Sequence, residues 1–223
     1  MKLHHRRHRT RALMMEEVLI VIFILALLGL VFFIGTARGG WHFMGRQESD
    51  RIGCVNNLKQ VGLAYRIWEG DNNDRYPIAV SVTNGGAMEL VATGNVVAVF
   101  QCMSNELSTP KILACPADAD HFAATNFLVD FSARNLSYFA GLDADDSQPQ
   151  AVLSGDANLI VNGRPTPAGM VNLATSPAAW TKGRHGATGN VGFADGSVQS
   201  SIHQMGFVSA PGTIFSTNRV VVP

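Results

Sequence analysis

The chain has 223 residues, room for one domain of ordinary size and an anchor but cramped for two domains. Hydrophobic residues make up 47% and charged residues 15%, which excludes a disordered polyelectrolyte. Formal net charge is zero, yet Lys2, Arg6, Arg7, Arg9 and Arg11 crowd the first twelve residues; the remainder balances at −5, so nothing electrostatic favours nucleic acid as a partner.

After the basic stretch 1–12, Val18–Ile34 is a run of seventeen uncharged, mostly apolar residues, and extension to Ala37 gives twenty. Twenty helical residues rise about 30 Å, the thickness of a bilayer's hydrocarbon core. The run predicts a transmembrane helix over 13–37, and the preceding basic residues put the N-terminus in the cytoplasm. It is longer than the apolar region of a cleavable secretory signal. Glu16 and Glu17 stand at its start, where a charge in lipid costs about 2.5–3.5 kcal/mol, so a specific partner is expected for such a carboxylate.

Arg38-Gly39-Gly40 predicts a bend, since glycine inside a helix costs about 1 kcal/mol relative to alanine. Trp41 falls where an interfacial aromatic belt would lie. Residues 38–69 form the juxtamembrane stretch. Within it, Ile52, Val55, Leu58, Val61, Tyr65 and Trp68 recur at intervals of three or four, which predicts an amphipathic helix over 47–69 packed on a head spanning 70–223. Residues 70–77 (GDNNDRYP) read as a solvated turn closed by Pro77, because the calcium-loop pattern is not met.

Short apolar runs at Ile78–Val82, Val96–Phe100, Ala151–Leu153 and Leu159–Val161 alternate with turn residues and predict short strands and long loops. Phe100–Leu107 reads as a helix, and Pro165, Pro167 and Pro177 mark an irregular region. At 190–202 Asp195-Gly196 predicts a two-residue type I′ hairpin, with Ala194 opposite Ser197 and Phe193 opposite Val198. Residues after Phe207 read as a loosely held tail ending in an apolar strand, Arg219–Val222. The fold class is α+β: a long N-terminal helix, its first half transmembrane, with a small antiparallel sheet and long loops.

The order of basic leader, Ala12, Leu13, then Glu17 at the fifth position and an apolar helix resembles the processing signal of bacterial type IV prepilins, although their leader usually ends in Gly. The resemblance implies a pseudopilin: prepilin peptidase cuts between Ala12 and Leu13, the new N-terminus is commonly methylated, and Glu17 pairs with the terminal amine of a neighbouring subunit. Opposite charges attract strongly in low dielectric, so such a pair sets register. His185, followed after nine residues by Asp195-Gly196, is similar to the His-x9-Asp-Gly domain of prepilin-type proteins. Cys54–Gly62 and Leu113–Asp118 resemble other segments of that family. The implied protein is a structural subunit of a type II secretion or type IV pilus-like fibre. Its partners would be prepilin peptidase, other pseudopilins and further copies of itself, and it would sit in the inner membrane with a periplasmic or extracellular head. An anchored module that binds polysaccharide or protein is the alternative.

Three cysteines suit one disulfide and one spare thiol in an exported head, and three pairings are open. The resemblance favours Cys54 with Cys115, because both lie in the resembling segments. Catalysis is not expected. Ser154, His121, His185, Asp156 and Asp195 could be assembled into a Ser–His–Asp set, but the G-x-S-x-G, H-E-x-x-H and phosphate-loop patterns are absent. His185 is expected to hydrogen-bond loop backbone at a strand start, and Asp156 to lie in a Gly-Asp loop. No cofactor is implied; Asp156 and Asp195 are the candidate oxygen ligands should the head take calcium.

Overall fold

A computed structural model describes residues 15–37, 40–173, 178–202 and 218–223, with side chains for all of these except 35–44, 46, 201 and 202. The processing site at Ala12 and Leu13, the Trp41 side chain, Pro177 and most of the expected tail lie outside the described residues. The chain divides into two compact units, one ending at Arg46 and one spanning Gln47–Pro223.

In the first unit, α1 is Met15–Ala37, with Glu16 and Glu17 in its first turn. Carboxylates there complement the positive end of the helix dipole. Over Met15–Ile34 the helix is long and apolar enough to cross a membrane. Its apolar side chains face outward on every side: Leu19, Phe23 and Leu28 are each about 60% exposed. A helix apolar all round lacks the polar face that water requires.

Helix α2, Gly40–Asp71, begins in the first unit and continues into the second. It starts seven residues before the sequence-based expectation. Cys54, Leu58, Val61, Ala64, Tyr65 and Trp68 form its buried stripe, at the expected spacing. Ile52 and Val55, expected on that stripe, are half exposed and only partly buried respectively; the packed face begins at Cys54, which takes the place of Val55. The turn after α2 is built by Asn73 and Asp74, both at positive φ, while the Asn72 amide donates to the Trp68 carbonyl at 2.7 Å.

Two expected strands are helical instead. Residues 78–82 are divided between two 3-10 turns, Pro77–Ala79 and Val82–Asn84, with Val80 and Ser81 extended between them. Val96–Phe100 lies in α4, which follows the short α3 (Met88–Val91) and spans Val96–Cys102. β-Branched composition favours a strand here, but Asn95 accepts a hydrogen bond from the Ala98 N–H and caps a helix, and Val96, Ala98, Val99 and Phe100 are buried. The helix expected over Phe100–Leu107 is split between the end of α4 and α5 (Ser104–Leu107).

Among the described residues six strands form the main sheet: β1 (Tyr138–Gly141), β2 (Val152–Asp156), β5 (Gly169–Asn172), β7 (Thr188–Phe193), β8 (Val198–Ile202) and β9 (Arg219–Val222). Their order is β5-β9-β1-β2-β7-β8, and all pairings are antiparallel. A second sheet is β4 (Arg164–Pro165), β3 (Leu159–Val161), β6 (Ala178–Trp180) in that order. One face of the main sheet, through Ala140, Leu153 and Val221, packs with Val61, Ala64 and Tyr65 of α2 and with α4. The other face, through Phe139, Val152, Val191 and Val220, packs with Leu159, Ala178 and Trp180 of the small sheet. The head is thus layered helix, sheet, sheet. Arg219–Val222 is a strand as expected, but a central one: Val220 and Val221 are fully buried between β5 and β1.

The hairpin differs from expectation by one residue. Gly192 pairs with Val198, the Gly196 N–H donates to the Phe193 carbonyl, and the Phe193 N–H donates to Ser197, each of these two bonds at 2.9 Å. Only Gly196 has positive φ, at 82°, so the connection is a three-residue loop, Ala194-Asp195-Gly196, ending in a left-handed glycine. Asp195 selects this form, because its Oδ1 accepts the Ser197 N–H at 2.8 Å and its own N–H donates to Pro149.

Candidate functional site

Four segments of the head converge on a buried polar cluster. α2 supplies Cys54, the loop after the 3-10 turn Pro110–Leu113 supplies Cys115, the end of β2 supplies Asp156, and the turn before β7 supplies His185. Cys54 and Cys115 are joined by a disulfide, and Cys102 is the free cysteine, half-buried with its thiol donating to the Val99 carbonyl. His185 Nε2 lies 3.4 Å from Cys115 Sγ and 3.7 Å from Asp156 Oδ2. The side chains of His185 and Asp156 are 1% and 0% exposed.

Asp156 is therefore no loop residue. It ends a central strand, and its Oδ2 accepts the Asn190 backbone N–H at 2.8 Å and the Asn190 amide at 2.9 Å. Burial, only partly offset by these bonds and by Arg184, pushes its carboxyl up to about 6. Burial, with help from the Arg184 charge, lowers the His185 pKa and so disfavours the charged ring. His185 does not hydrogen-bond loop backbone through its ring: Nδ1 has no partner, and neither has Asp156 Oδ1.

The sequence motif acquires a physical reading. His185 sits beside the disulfide at one end of β7, and Asp195-Gly196 turns the chain at the other. At that second end the Arg66 guanidinium donates to the Ala194 carbonyl at 2.9 Å, and a Cβ on Gly62 would come within 3.9 Å of Gly196 Cα. From Cys54 to Arg66 the helix rises about 18 Å, and six strand residues span about 20 Å. The motif thus fastens β7 alongside α2 at both ends. Asp195 is exposed, accepting from Gln150 and Ser197, and is a ladder's length from Asp156. The two candidate calcium ligands cannot share an ion.

A second network, missed at the sequence level, lies beside the cluster. Asp118 ion-pairs with Arg184, accepts from Ser137 Oγ at 2.7 Å and from the Asp120 N–H at 3.0 Å, and lies 2.8 Å from His121 Nδ1. Arg184 also donates to the Ser137 carbonyl at 2.7 Å. The adjacency of Arg184 to His185, and of Asp118 to Cys115-Pro116, was the available signal. Burial opposes ionisation of Asp118, but His121, Ser137 and Arg184 together outweigh it and hold the carboxyl down at about 2. A depressed folded-state value against an ordinary 3.8 gives stability that is complete above pH 4 and lost as pH falls toward 2, worth about 2 kcal/mol. Urea titrations between pH 5 and pH 2 should show that loss, and Asp118→Asn should flatten the acid limb while lowering stability at pH 7. An unchanged acid limb in the variant would refute the assignment.

An open cleft of about 230 Å³ borders this network, lined in part by Asp120, His121, Asn158, Thr166, Thr181 and Arg184. The Ser154 hydroxyl is engaged within the sheet, donating to the Phe139 carbonyl at 2.8 Å. His185 and Asp156 do converge, with side chains 1% and 0% exposed. Comparison with protein-family models, curated proteins and solved structures gives no match to this chain.

Proposed function

We propose that the chain is a pseudopilin-like subunit: a single-pass inner-membrane protein with a cytoplasmic N-terminus, cleaved by prepilin peptidase between Ala12 and Leu13 and packed through its apolar helix into a type II secretion or type IV pilus-like fibre. The observation that carries this reading is the placement of Glu17 in the first turn of a helix that is apolar on all sides through Ile34. Such a helix is stable in lipid or against copies of itself. A carboxylate at its start suits an amine from an adjoining copy and so fixes the axial register of packing. A disulfide-tied head with a helix on an antiparallel sheet suits an exported subunit that must withstand pulling. The head has no catalytic part in this scheme; its role is structural.

Mass spectrometry of the membrane-extracted protein should find the mature chain starting at Leu13. Glu17→Ala should insert into the membrane at wild-type levels yet be lost from sheared or crosslinked fibres. A native chain that retains residues 1–12, or a Glu17→Ala variant that assembles normally, would end this reading.

A further inference from the structure

The geometry points to a redox-switched zinc site: once the Cys54–Cys115 disulfide is reduced, the two thiolates, His185 Nε2 and an Asp156 carboxylate oxygen bind one Zn²⁺ tetrahedrally.

One ligand atom from each of the four residues lies within 4.8 Å of all the others, and all four residues are buried. Two Cys, one His and one carboxylate are a donor set that zinc accepts. With Zn–S near 2.3 Å and Zn–N near 2.0 Å, tetrahedral edges come to about 3.5 Å for S–N and about 3.3 Å for N–O. The observed edges are 3.4 Å from Cys115 Sγ to His185 Nε2 and 3.7 Å from His185 Nε2 to Asp156 Oδ2. The main movement falls on the two sulfurs, which part to about 3.8 Å when their bond is broken.

The surroundings favour a cation independently of those distances. In the disulfide form His185 faces a sulfur through Nε2, has no hydrogen-bond partner at Nδ1, and is sealed from water. Asp156 likewise keeps one oxygen unpartnered in the interior. A buried carboxylate oxygen left in this state is costly, and a divalent ion bound through that oxygen would compensate Asp156 while giving His185 Nε2 a ligand's role. Asn190 already orients the carboxylate through two hydrogen bonds, as an outer-shell partner of a metal ligand does. The site is closed, with four protein ligands, and so is structural rather than catalytic.

A dithiol reductant gives two electrons and two protons to the disulfide and becomes a disulfide itself, leaving two thiols on the protein. Zinc then binds as the two thiols release two protons. Disulfide and zinc are mutually exclusive, and each ties α2 to the segment carrying Cys115.

The full chain, purified in detergent, is reduced with a dithiol and freed of it by gel filtration under argon, then titrated with Zn²⁺ against a chromophoric chelator. The reduced protein should bind one equivalent and the oxidised protein none at this site. Co²⁺ in place of zinc should give the visible bands of a tetrahedral ion with thiolate-to-cobalt absorption in the near ultraviolet. Zinc should slow air re-formation of the Cys54–Cys115 bond at least tenfold, read by alkylation and peptide mass spectrometry on the wild-type chain. His185→Ala and Asp156→Asn should each weaken binding at least tenfold. The proposal fails if reduced wild-type protein takes up no stoichiometric zinc, if cobalt lacks the tetrahedral thiolate signature, or if re-oxidation is indifferent to zinc. It fails equally if Cys54→Ser or a folded His185→Ala variant binds as tightly as wild type. The cobalt spectrum and the re-oxidation rate are read on the wild-type chain, so they decide the matter even where a variant does not fold.

Discussion

Replacing both Cys54 and Cys115 with serine should lower the unfolding free energy of the head by about 4 kcal/mol. The bond closes a loop of 61 residues, and the chain-entropy relation gives about 4 kcal/mol for a loop of that length. For a unit of this size, that corresponds to a fall in Tm of roughly 8–16 °C. The substitution adds a local cost, since the serine hydroxyls would sit in an interior where His185 and Asp156 already have unpartnered atoms. Thermal unfolding of the full chain in detergent, followed by near-ultraviolet circular dichroism, measures the effect. Cys102→Ser is the control: its burial pushes that thiol up to about 12, so it stays protonated and inert, and the change should move Tm by no more than a few degrees. Equal losses from both variants would show that the disulfide is not what constrains the head.

Gly141→Ala should be the most damaging single methyl addition in the sheet. Gly141 ends β1, between β2 and β9, and a Cβ there would stand 1.9 Å from the Val152 carbonyl oxygen and 3.3 Å from that of Leu153. The obstacle is backbone, not the end of a flexible side chain, so β1 or β2 must move and the ladder on both sides of β1 moves with it. Overpacking of well-packed interiors costs about 1–3 kcal/mol and occasionally more, and this site belongs at or above the upper end. Gly70→Ala, near the end of α2 with nothing within 4 Å of its added Cβ, should instead be neutral or stabilising by up to about 1 kcal/mol. Urea midpoints for the pair provide the comparison; a Gly141→Ala midpoint within error of wild type would contradict this packing.

Both long helices are legible in the sequence because their patterns are physical periodicities: an unbroken apolar run for α1, a three-to-four spacing for α2. The sheet is legible only in part: the runs at 151–153, 159–161, 190–202 and 219–222 do fall on strands, but β1 and the full extent of β2 escape notice because these central strands are covered on both faces. Tyr138–Gly141 and Val152–Asp156 are buried at every position, so the alternation that marks a half-exposed strand never arises. The run VVAVF at 96–100 has the composition of a strand, and a capping asparagine plus burial against α2 decides otherwise. The hairpin turn is found in the right place but in the wrong register, since Asp-Gly serves two kinds of loop and the choice rests on where the Asp195 carboxylate bonds. At the site, Cys54, Cys115 and His185 are visible as motif residues, whereas the parts played by Asp118, Arg184 and Asn190 are not. Those parts come from partners distant in sequence that only the fold brings together.

The position of β9 governs the order in which the head can form. Arg219–Val222 occupies the slot between β5 and β1, strands made some fifty and eighty residues earlier. Until residues 219–222 have been synthesised, β1 has one bare flank and β5 has no partner strand among the described residues. Early segments must wait, open-edged, for a late one, which makes this interval the moment when a chaperone or a neighbouring nascent chain has most to grip.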